Sequence, residues 1–156
     1  MNSEINFRNA CNRYPIADME KAVQDLKLGR KTYPASQGLD DDDSRFTRQN
    51  AIDFFRFLSA GKPEMINNDI LAELHQSLFD CCAAVRLATV QTLGILGRRE
   101  SLTVLHDLQS IENESNWVKT AVEEAIQVIE DSLDLAATEF VKDPSALPGG
   151  FYITSE

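Results

Sequence analysis

The chain has 156 residues, and its 25 acidic against 15 basic side chains give a formal net charge of −10. A chain of this length normally forms one domain, and 43% hydrophobic residues are enough for a core. An acidic chain is a poor candidate for nucleic-acid binding, which needs clustered lysine and arginine. No apolar run reaches the roughly 18 residues of a membrane span, so we expect no membrane partner.

The acidic excess lies in the last third of the sequence. Residues 1–45 hold 8 acids and 7 bases, residues 46–100 hold 6 of each, and residues 101–156 hold 11 acids and 2 bases. A charge segregated in this way produces a field that steers a positively charged partner. The C-terminal third is therefore the first place to look for a binding surface.

Cysteine usage and the N-terminus favour a cytoplasmic protein. Residues 1–13 contain no apolar stretch typical of a signal peptide. The three cysteines (Cys11, Cys81 and Cys82) are an odd number without the spacing of a disulfide framework, and adjacent cysteines rarely bridge. We therefore expect all three thiols to be reduced.

Proline spacing and apolar periodicity predict an all-α protein. After Pro63 no proline occurs until Pro144, and no segment between them alternates apolar and polar residues with the period of a strand. Caps and stops predict six main helices. The first is expected from Pro15 to a stop at Gly29, and the second from a cap at Ser44 to an end before Gly61. The third contains Leu71, Leu74 and Leu78, and the fourth extends from a cap at Asp80 to Gly97. The fifth begins at Ser101, and the sixth extends from a cap at Asn116 to about Lys142.

The sequence also repeats itself. The run 85–88 matches 118–121 at an offset of 33 residues, and Leu71, Leu74 and His75 match the same residue types 31 positions later. We predict a short α-solenoid of about three helical hairpins, because such hairpins bury their apolar faces against neighbours. The expected single domain covers 1–143, with units of about 16–61, 64–98 and 101–142, and the tail 144–156 is expected to be non-helical.

The run from Asp80 to Gly97, with Arg86-Leu87-Ala88 and Leu93-Gly94-Ile95-Leu96 inside it, resembles the second half of a HEAT repeat. This resemblance implies an acid in the turn between two helices and a base six residues later, in hydrogen-bond ladders between stacked repeats. The pairs that keep this spacing are Asp42 with Arg48, Asp80 with Arg86, and Asn113 with Lys119. In this register Asp42 is expected to pair with Arg48. The resemblance covers about residues 16–131, although the proline common in the first helix of such repeats is absent.

Metal and catalytic sites are not expected. The acidic run 40–43 lacks the spacing, glycine and distal glutamate of a calcium loop, and capping explains it better. His75 and His106 occupy equivalent positions on stacked helices about 8–10 Å apart, too far to share zinc easily, so a packed, hydrogen-bonded His75 is favoured. Cys81 and Cys82 are expected to be structural, and no nucleophile, phosphate-loop or paired-carboxylate motif supports an enzyme or a cofactor.

The sixth helix carries the strongest functional signal. Its apolar residues form one stripe from Val118 to Phe140. The acids of the opposite side fall within an arc of about 120°; they are Glu123, Glu124, Glu130, Asp131 and Asp134. Such a face is either merely solvated or a docking surface for a basic partner. Trp117, at the start of this helix, is either a hydrophobic staple at the edge of the core or an exposed binding anchor.

Three functional hypotheses follow. The first is a non-catalytic adaptor, or an inhibitor of the immunity type, that binds a basic protein partner through the solenoid and the acidic helix. The second rests on resemblance: small bacterial HEAT-like proteins are similar to subunits of phycobilin lyases, which implies a tetrapyrrole and a light-harvesting protein as partners. The third is an assembly factor or scaffold subunit of a larger complex.

Overall fold

The protein is described from a computed structural model, which covers residues 19–35 and 42–142, with side chains as far as Asp134. In these residues the fold is all-helical, which confirms the predicted class. The elements are α1 (Met19–Leu26), α2 (Asp42–Gly61), a 3-10 turn (Pro63–Met65), α3 (Asn68–Ser77), α4 (Ala83–Leu96), α5 (Ser101–Gln109) and α6 (Asn116–Lys142). The expected helix start at Pro15, the first two acids of the run 40–43, Cys11 and the tail 144–156 lie outside the described residues.

The segment that follows the first helix lies against the start of the second. α1 buries Ala22 and Leu26, and Gly29 follows with a φ of 65°. This left-handed conformation is accessible to glycine at little cost. A Cβ atom at Gly29 would also come within 2.6 Å of the Ser44 Oγ atom at the start of α2. The predicted stop at Gly29 therefore lies close to the start of α2, where a larger residue would clash.

The second helix has the predicted core residues but a different start. Phe54, Phe55 and Leu58 are fully buried, and the two rings meet edge to face with centroids 5.4 Å apart. The predicted cap at Ser44 is wrong, because α2 already begins at Asp42 and Ser44 lies within its first turn. The helix also includes Gly61 instead of ending before it.

The cap residues of the third and fourth helices differ from the predicted ones. Asn67, which the sequence analysis did not single out, caps α3 by accepting a hydrogen bond at Oδ1 from the Ile70 amide at 2.9 Å. The predicted cap at Asp80 is wrong, because α4 begins at Ala83 with Cys82 in the cap position. Asp80 stabilises the preceding turn instead, accepting from the Cys82 amide at 2.8 Å.

The last two helices follow the prediction closely. α5 begins at Ser101, and α6 begins at Asn116 and continues without interruption to Lys142. The side chain that caps α6 belongs to Ser115, one residue earlier than expected, since its Oγ atom accepts from the Val118 amide at 3.3 Å. The single long helix means that its acidic residues share one rigid support.

The helices pack in a regular order. α2 packs against α4, and α4 packs against α6, while α1, α3 and α5 each pack against the helix that follows them. α1 also contacts α3. Gly94 of α4 lies close to α6, because a Cβ atom there would lie 3.3 Å from the Ala125 Cβ. One hydrophobic core therefore runs through the described part of the chain.

Two buried ion pairs link successive parts of this stack. Arg48 of α2 donates from Nε and Nη2 to the Asp80 carboxylate at 2.7 and 3.1 Å. Arg86 of α4 donates in the same bidentate way to Glu114 at 2.7 Å for both atoms. Both arginines are buried together with their acids. Each pair therefore fixes a long helix to the turn that precedes the next long helix.

These pairs differ from the expected ladder in their partners. Asp42, assigned to Arg48 by the sequence register, is exposed and pairs with Arg45 three residues along at 2.8 Å. Asn113 is exposed, and its neighbour Glu114 provides the buried acid. The partners differ because each arginine side chain extends from its own long helix toward the next one. It therefore meets the acid in the turn before the next long helix.

Lys119, the base of the expected third pair, has another role. Its ammonium donates to the carbonyl oxygen of Glu112 at 2.9 Å, in the loop before α6. Arg86 makes two further contacts, one with the turn before α4 and one with the segment after α1. It donates from Nη1 to the Asp80 carbonyl at 2.8 Å, and its guanidinium lies 3.6 Å from the centroid of the buried Tyr33 ring.

Substitution of Gly97 by alanine should lower the free energy of unfolding by about 1–2 kcal/mol. Gly97 ends α4 with a φ of 68°, and nothing lies within 4 Å of the position a Cβ atom would take. The cost should therefore come from the backbone alone. Urea denaturation followed by circular dichroism measures it.

Gly61 supplies the matched control for this substitution. It has equally open surroundings but no left-handed φ. Gly61→Ala should be neutral or stabilising by up to about 1 kcal/mol. Equal effects of the two substitutions would contradict the backbone explanation.

Candidate functional site

The outer side of α6 forms a continuous acidic surface. The residues of this acidic face are all exposed; they are Glu123, Glu124, Glu130, Asp131 and Asp134. The opposite side buries Val118, Val122 and Ile129 in the core. Among the described side chains of α6, Lys119 is the only base, and its ammonium is held toward the preceding loop. The acids of this face therefore outnumber the bases among the described side chains of its helix.

Trp117 lies at the start of α6, and 79% of its surface is exposed. A hydrophobic staple or a core-edge position would require burial, so that interpretation does not fit. Its ring lies beside Leu87 and Gln91 of α4 and Ala121 and Glu124 of its own helix, around a depression of about 410 Å³. Tryptophan side chains exposed beside a depression are the residues that most often anchor protein interfaces.

A second depression of about 330 Å³ continues along the same helices. It shares Gln91, Ala121 and Glu124 with the first one, and together they form what we call the α4–α6 groove. The remaining residues of its second half are Gly94, Ile95, Ala125 and Val128. Ile95 and Val128 are large apolar residues that are 48% and 51% exposed. The groove thus has apolar walls and a floor of small residues.

Sequence reasoning missed most of this groove. Ile95 was considered only as part of a repeat motif, and Val128 was not assigned a role. A signal was nevertheless present, because Trp117, Ala121, Glu124 and Val128 are spaced by four, three and four residues and so share one side of α6. Only the structure shows that this side faces an open channel next to α4.

Another groove, with a volume of about 460 Å³, lies between α2 and α4, and Leu87 and Gln91 line both this groove and the α4–α6 groove. Its charged residues neutralise each other, since Arg56 donates from Nη2 to Asp53 at 2.8 Å and from Nη1 to Gln91 at 2.5 Å. Burial raises the pKa of the Asp53 carboxyl, and the Arg56 charge opposes this rise. Phe46, 59% exposed, lies at this groove with the Arg45 guanidinium 5.6 Å above its ring.

The two grooves differ in electrostatics. In the α2–α4 groove the acid is held by an arginine, so no net charge is offered to a ligand. In the α4–α6 groove, Glu124 is the only charged residue among those that line it. The acidic face of α6 begins at the same residue. The α4–α6 groove is therefore the place where apolar surface and unbalanced negative charge meet.

The histidines and cysteines have local structural contacts. His75 Nε2 and Ser101 Oγ form a hydrogen bond of 2.9 Å between α3 and α5, and burial lowers the pKa of His75, partly offset by Glu100. His106 is exposed and contacts Gln109 on its own helix. Cys81 is buried, and Cys82 is half-buried. The described residues contain no group of three or more potential metal ligands and no helix with the length and apolarity to cross a membrane.

Comparison with known proteins gives no match. No protein-family model, no curated protein and no solved structure matches this chain.

Proposed function

We propose that this protein is a non-catalytic protein-binding module, an adaptor or an inhibitor of the immunity type, whose partner has a basic surface. The single observation that carries the proposal is the acidic face of α6. Its five exposed carboxylates lie along one helix, whose described side chains include a single base, Lys119, bound to the Glu112 carbonyl. Like charges placed so close together destabilise a helix unless a ligand uses them.

We further propose that the helices form a short HEAT-like solenoid that presents this face. The packing of α2 on α4 and of α4 on α6 supports a repeated unit. So do the two bidentate arginine pairs, Arg48 with Asp80 and Arg86 with Glu114, because they recur at equivalent helices. Among the described residues, the outer side of α6 is exposed, as expected for the last helix of such a stack.

Such a surface would mainly increase the rate constant for association with the partner. A concentrated negative field increases the rate at which a positively charged partner meets the correct side of the protein, and salt weakens the effect. A partner with a cationic active site, such as a nuclease or another toxin, fits this role, because α6 would lie across the positive groups that the site needs. We expect partner affinity to fall as ionic strength rises.

The decisive experiment reverses the acidic face. The full-length protein is used to isolate its partner from the native host, and affinity is then measured by calorimetry with the purified pair. Changing Glu123, Glu124, Glu130, Asp131 and Asp134 to lysine should weaken binding by at least about 100-fold, since interfacial charge pairs each contribute on the order of 1 kcal/mol or more.

A matched variant controls for net charge. It reverses five exposed acids outside α6, namely Glu20, Glu64, Asp69, Glu100 and Asp107. This variant has the same net charge as the first, and it should bind nearly as well as the parent protein. Equal binding by all three proteins, or a partner without a basic patch, would show that the acidic face serves only solvation.

A further inference from the structure

We infer that the α4–α6 groove binds an amphipathic helix of the partner, with its apolar side against Trp117, Ile95 and Val128 and with lysine or arginine along the flank next to α6. This inference rests on the proposed function, because it assumes a basic protein partner. It adds the position of the contact, the secondary structure of the bound segment and the residue that anchors it.

The dimensions of the groove fit a helix. Along α6, its walls extend from Trp117 to Val128, a span of eleven residues or about 16 Å. Along α4 they extend from Leu87 to Ile95, about 12 Å. A helix of about three turns has the same length. Bound helices of this kind insert residues with i, i+3, i+4 and i+7 spacing into a channel between two supporting helices.

The floor of the groove allows a close approach. Gly94 and Ala121 leave a shallow channel between the larger side chains of Ile95 and Val128. These two residues are half-exposed on opposite sides, so an apolar side chain inserted between them would be covered by both. Burial of exposed apolar surface of this size supplies the favourable free energy that charge alone does not provide.

The charge distribution determines the orientation of the occupant. On the α6 side, Glu124 lines the groove and Asp131 lies two turns further along the acidic face. On the α4 side, the polar residue is Gln91, which is neutral and accepts a hydrogen bond from Arg56. Positive charge on the occupant therefore strengthens binding only on the flank that faces α6. A helix that is basic on all sides would gain less binding free energy per charge.

Other occupants fit less well. A second copy of this chain would bring its own acidic face toward the same carboxylates, and like charges would oppose the contact. An anionic membrane surface is repelled for the same reason. An extended peptide would need unpaired backbone groups at a strand edge, and the helices that form the groove satisfy their own backbone. A cationic amphipathic helix is the occupant that both the apolar walls and the charge favour.

Trp117 is the expected anchor and also a natural probe, because it is the only tryptophan in the chain. The test titrates full-length protein with a helical peptide of about 16 residues that carries leucines on one side and lysines on one flank. Burial of the indole should shift its emission to shorter wavelength. Two control peptides are used. One has the same composition in scrambled order, and the other has glutamates in place of the lysines. Neither should bind measurably at concentrations at which the lysine peptide saturates.

Groove variants then test the site with labelled peptide and fluorescence anisotropy. Trp117→Ala should weaken peptide binding about tenfold or more, and Val128→Lys should do the same by adding a positive charge to the wall. Phe46→Ala, which removes a similarly exposed aromatic residue from the α2–α4 groove, should have no effect. Circular dichroism should show equal helicity for all variants, because each replaced side chain is largely exposed.

The outcomes separate this inference from the proposed function. If Trp117→Ala and Val128→Lys bind the native partner as the parent does, while reversal of the acidic face abolishes binding, the inference is wrong and the proposed function stands. If the groove variants lose the native partner together with the acid-reversal variant, both are supported. Absence of binding by the lysine peptide, or equal binding by the scrambled peptide, overturns the inference.

Discussion

Replacing Glu114 with alanine is expected to lower the free energy of unfolding by about 3–5 kcal/mol, a large share of the stability of a domain of this size. The Glu114 carboxylate is buried and accepts two hydrogen bonds from the Arg86 guanidinium. It also accepts from the Ser115 amide at 2.8 Å. Its removal leaves a buried positive charge without a counterion. Urea denaturation followed by circular dichroism measures the loss.

Two further variants show where this loss comes from. Glu112→Ala removes an exposed acid from the same loop, and it should change stability by less than about 0.5 kcal/mol. In the double variant Arg86→Met with Glu114→Leu no buried charge remains at this pair, so it should be more stable than Glu114→Ala alone. Full recovery is not expected, because Arg86 also bonds to the Asp80 carbonyl and stacks on Tyr33. Equal destabilisation by Glu112→Ala and Glu114→Ala would contradict this explanation.

The helices could be predicted because their signals are local. The long apolar stripe of α6, the stop at Gly97 and the start of α5 at Ser101 all depend on residues within one or two turns. The buried side of α2, with Phe54 and Phe55, is set by the same short-range periodicity. Caps were less predictable, because several polar residues precede each helix and tertiary contacts decide which of them is used.

Ion-pair partners were not predictable, because they depend on contacts between helices. Spacing assigned Asp42 to Arg48, but α2 begins at Asp42 and leaves that side chain in solvent. The buried partner, Asp80, is 32 residues away. In the same way the buried acid of the last turn is Glu114, next to the residue that the repeat spacing indicated. A repeat pattern shows that a polar contact recurs, and the direction in which the arginine extends is determined by how the helices stack.

The candidate site was predictable only in part, for the same reason. The acidic face of α6 follows from helical angles, and the structure leaves all five of its acids exposed. The α4–α6 groove combines residues about 30 positions apart in sequence, such as Ile95 and Val128. Whether each apolar residue lies in the core or on a groove wall depends on the neighbouring helix. Trp117 shows this ambiguity most clearly, since both a core and a surface position agree with its place in the sequence.

Asp80 is the acid of the Arg48 ion pair, which has the larger sequence separation of the two buried pairs. Asp80→Ala is expected to destabilise the protein by about 3–5 kcal/mol. Its carboxylate is fully buried and accepts three hydrogen bonds, two from Arg48 and one from the Cys82 amide. Alanine would leave both donors buried, and one of them carries a charge. Arg48 would retain its bond to the Leu28 carbonyl at 2.9 Å, which cannot neutralise that charge. Thermal and urea unfolding should agree on the loss.

Asp80→Asn separates the charge from the hydrogen bonds. The amide oxygen can still accept from the Cys82 amide, so this variant should lose less stability than Asp80→Ala, although it removes the negative charge that Asp80 places against Arg48. Asp42→Ala is the matched control, because it removes the acid that sequence spacing assigned to Arg48. Since the Asp42–Arg45 pair is exposed, its loss should cost less than about 1 kcal/mol. A larger effect at Asp42 than at Asp80 would mean that Arg48 is neutralised within its own helix, and the stack would then lose one of its two links.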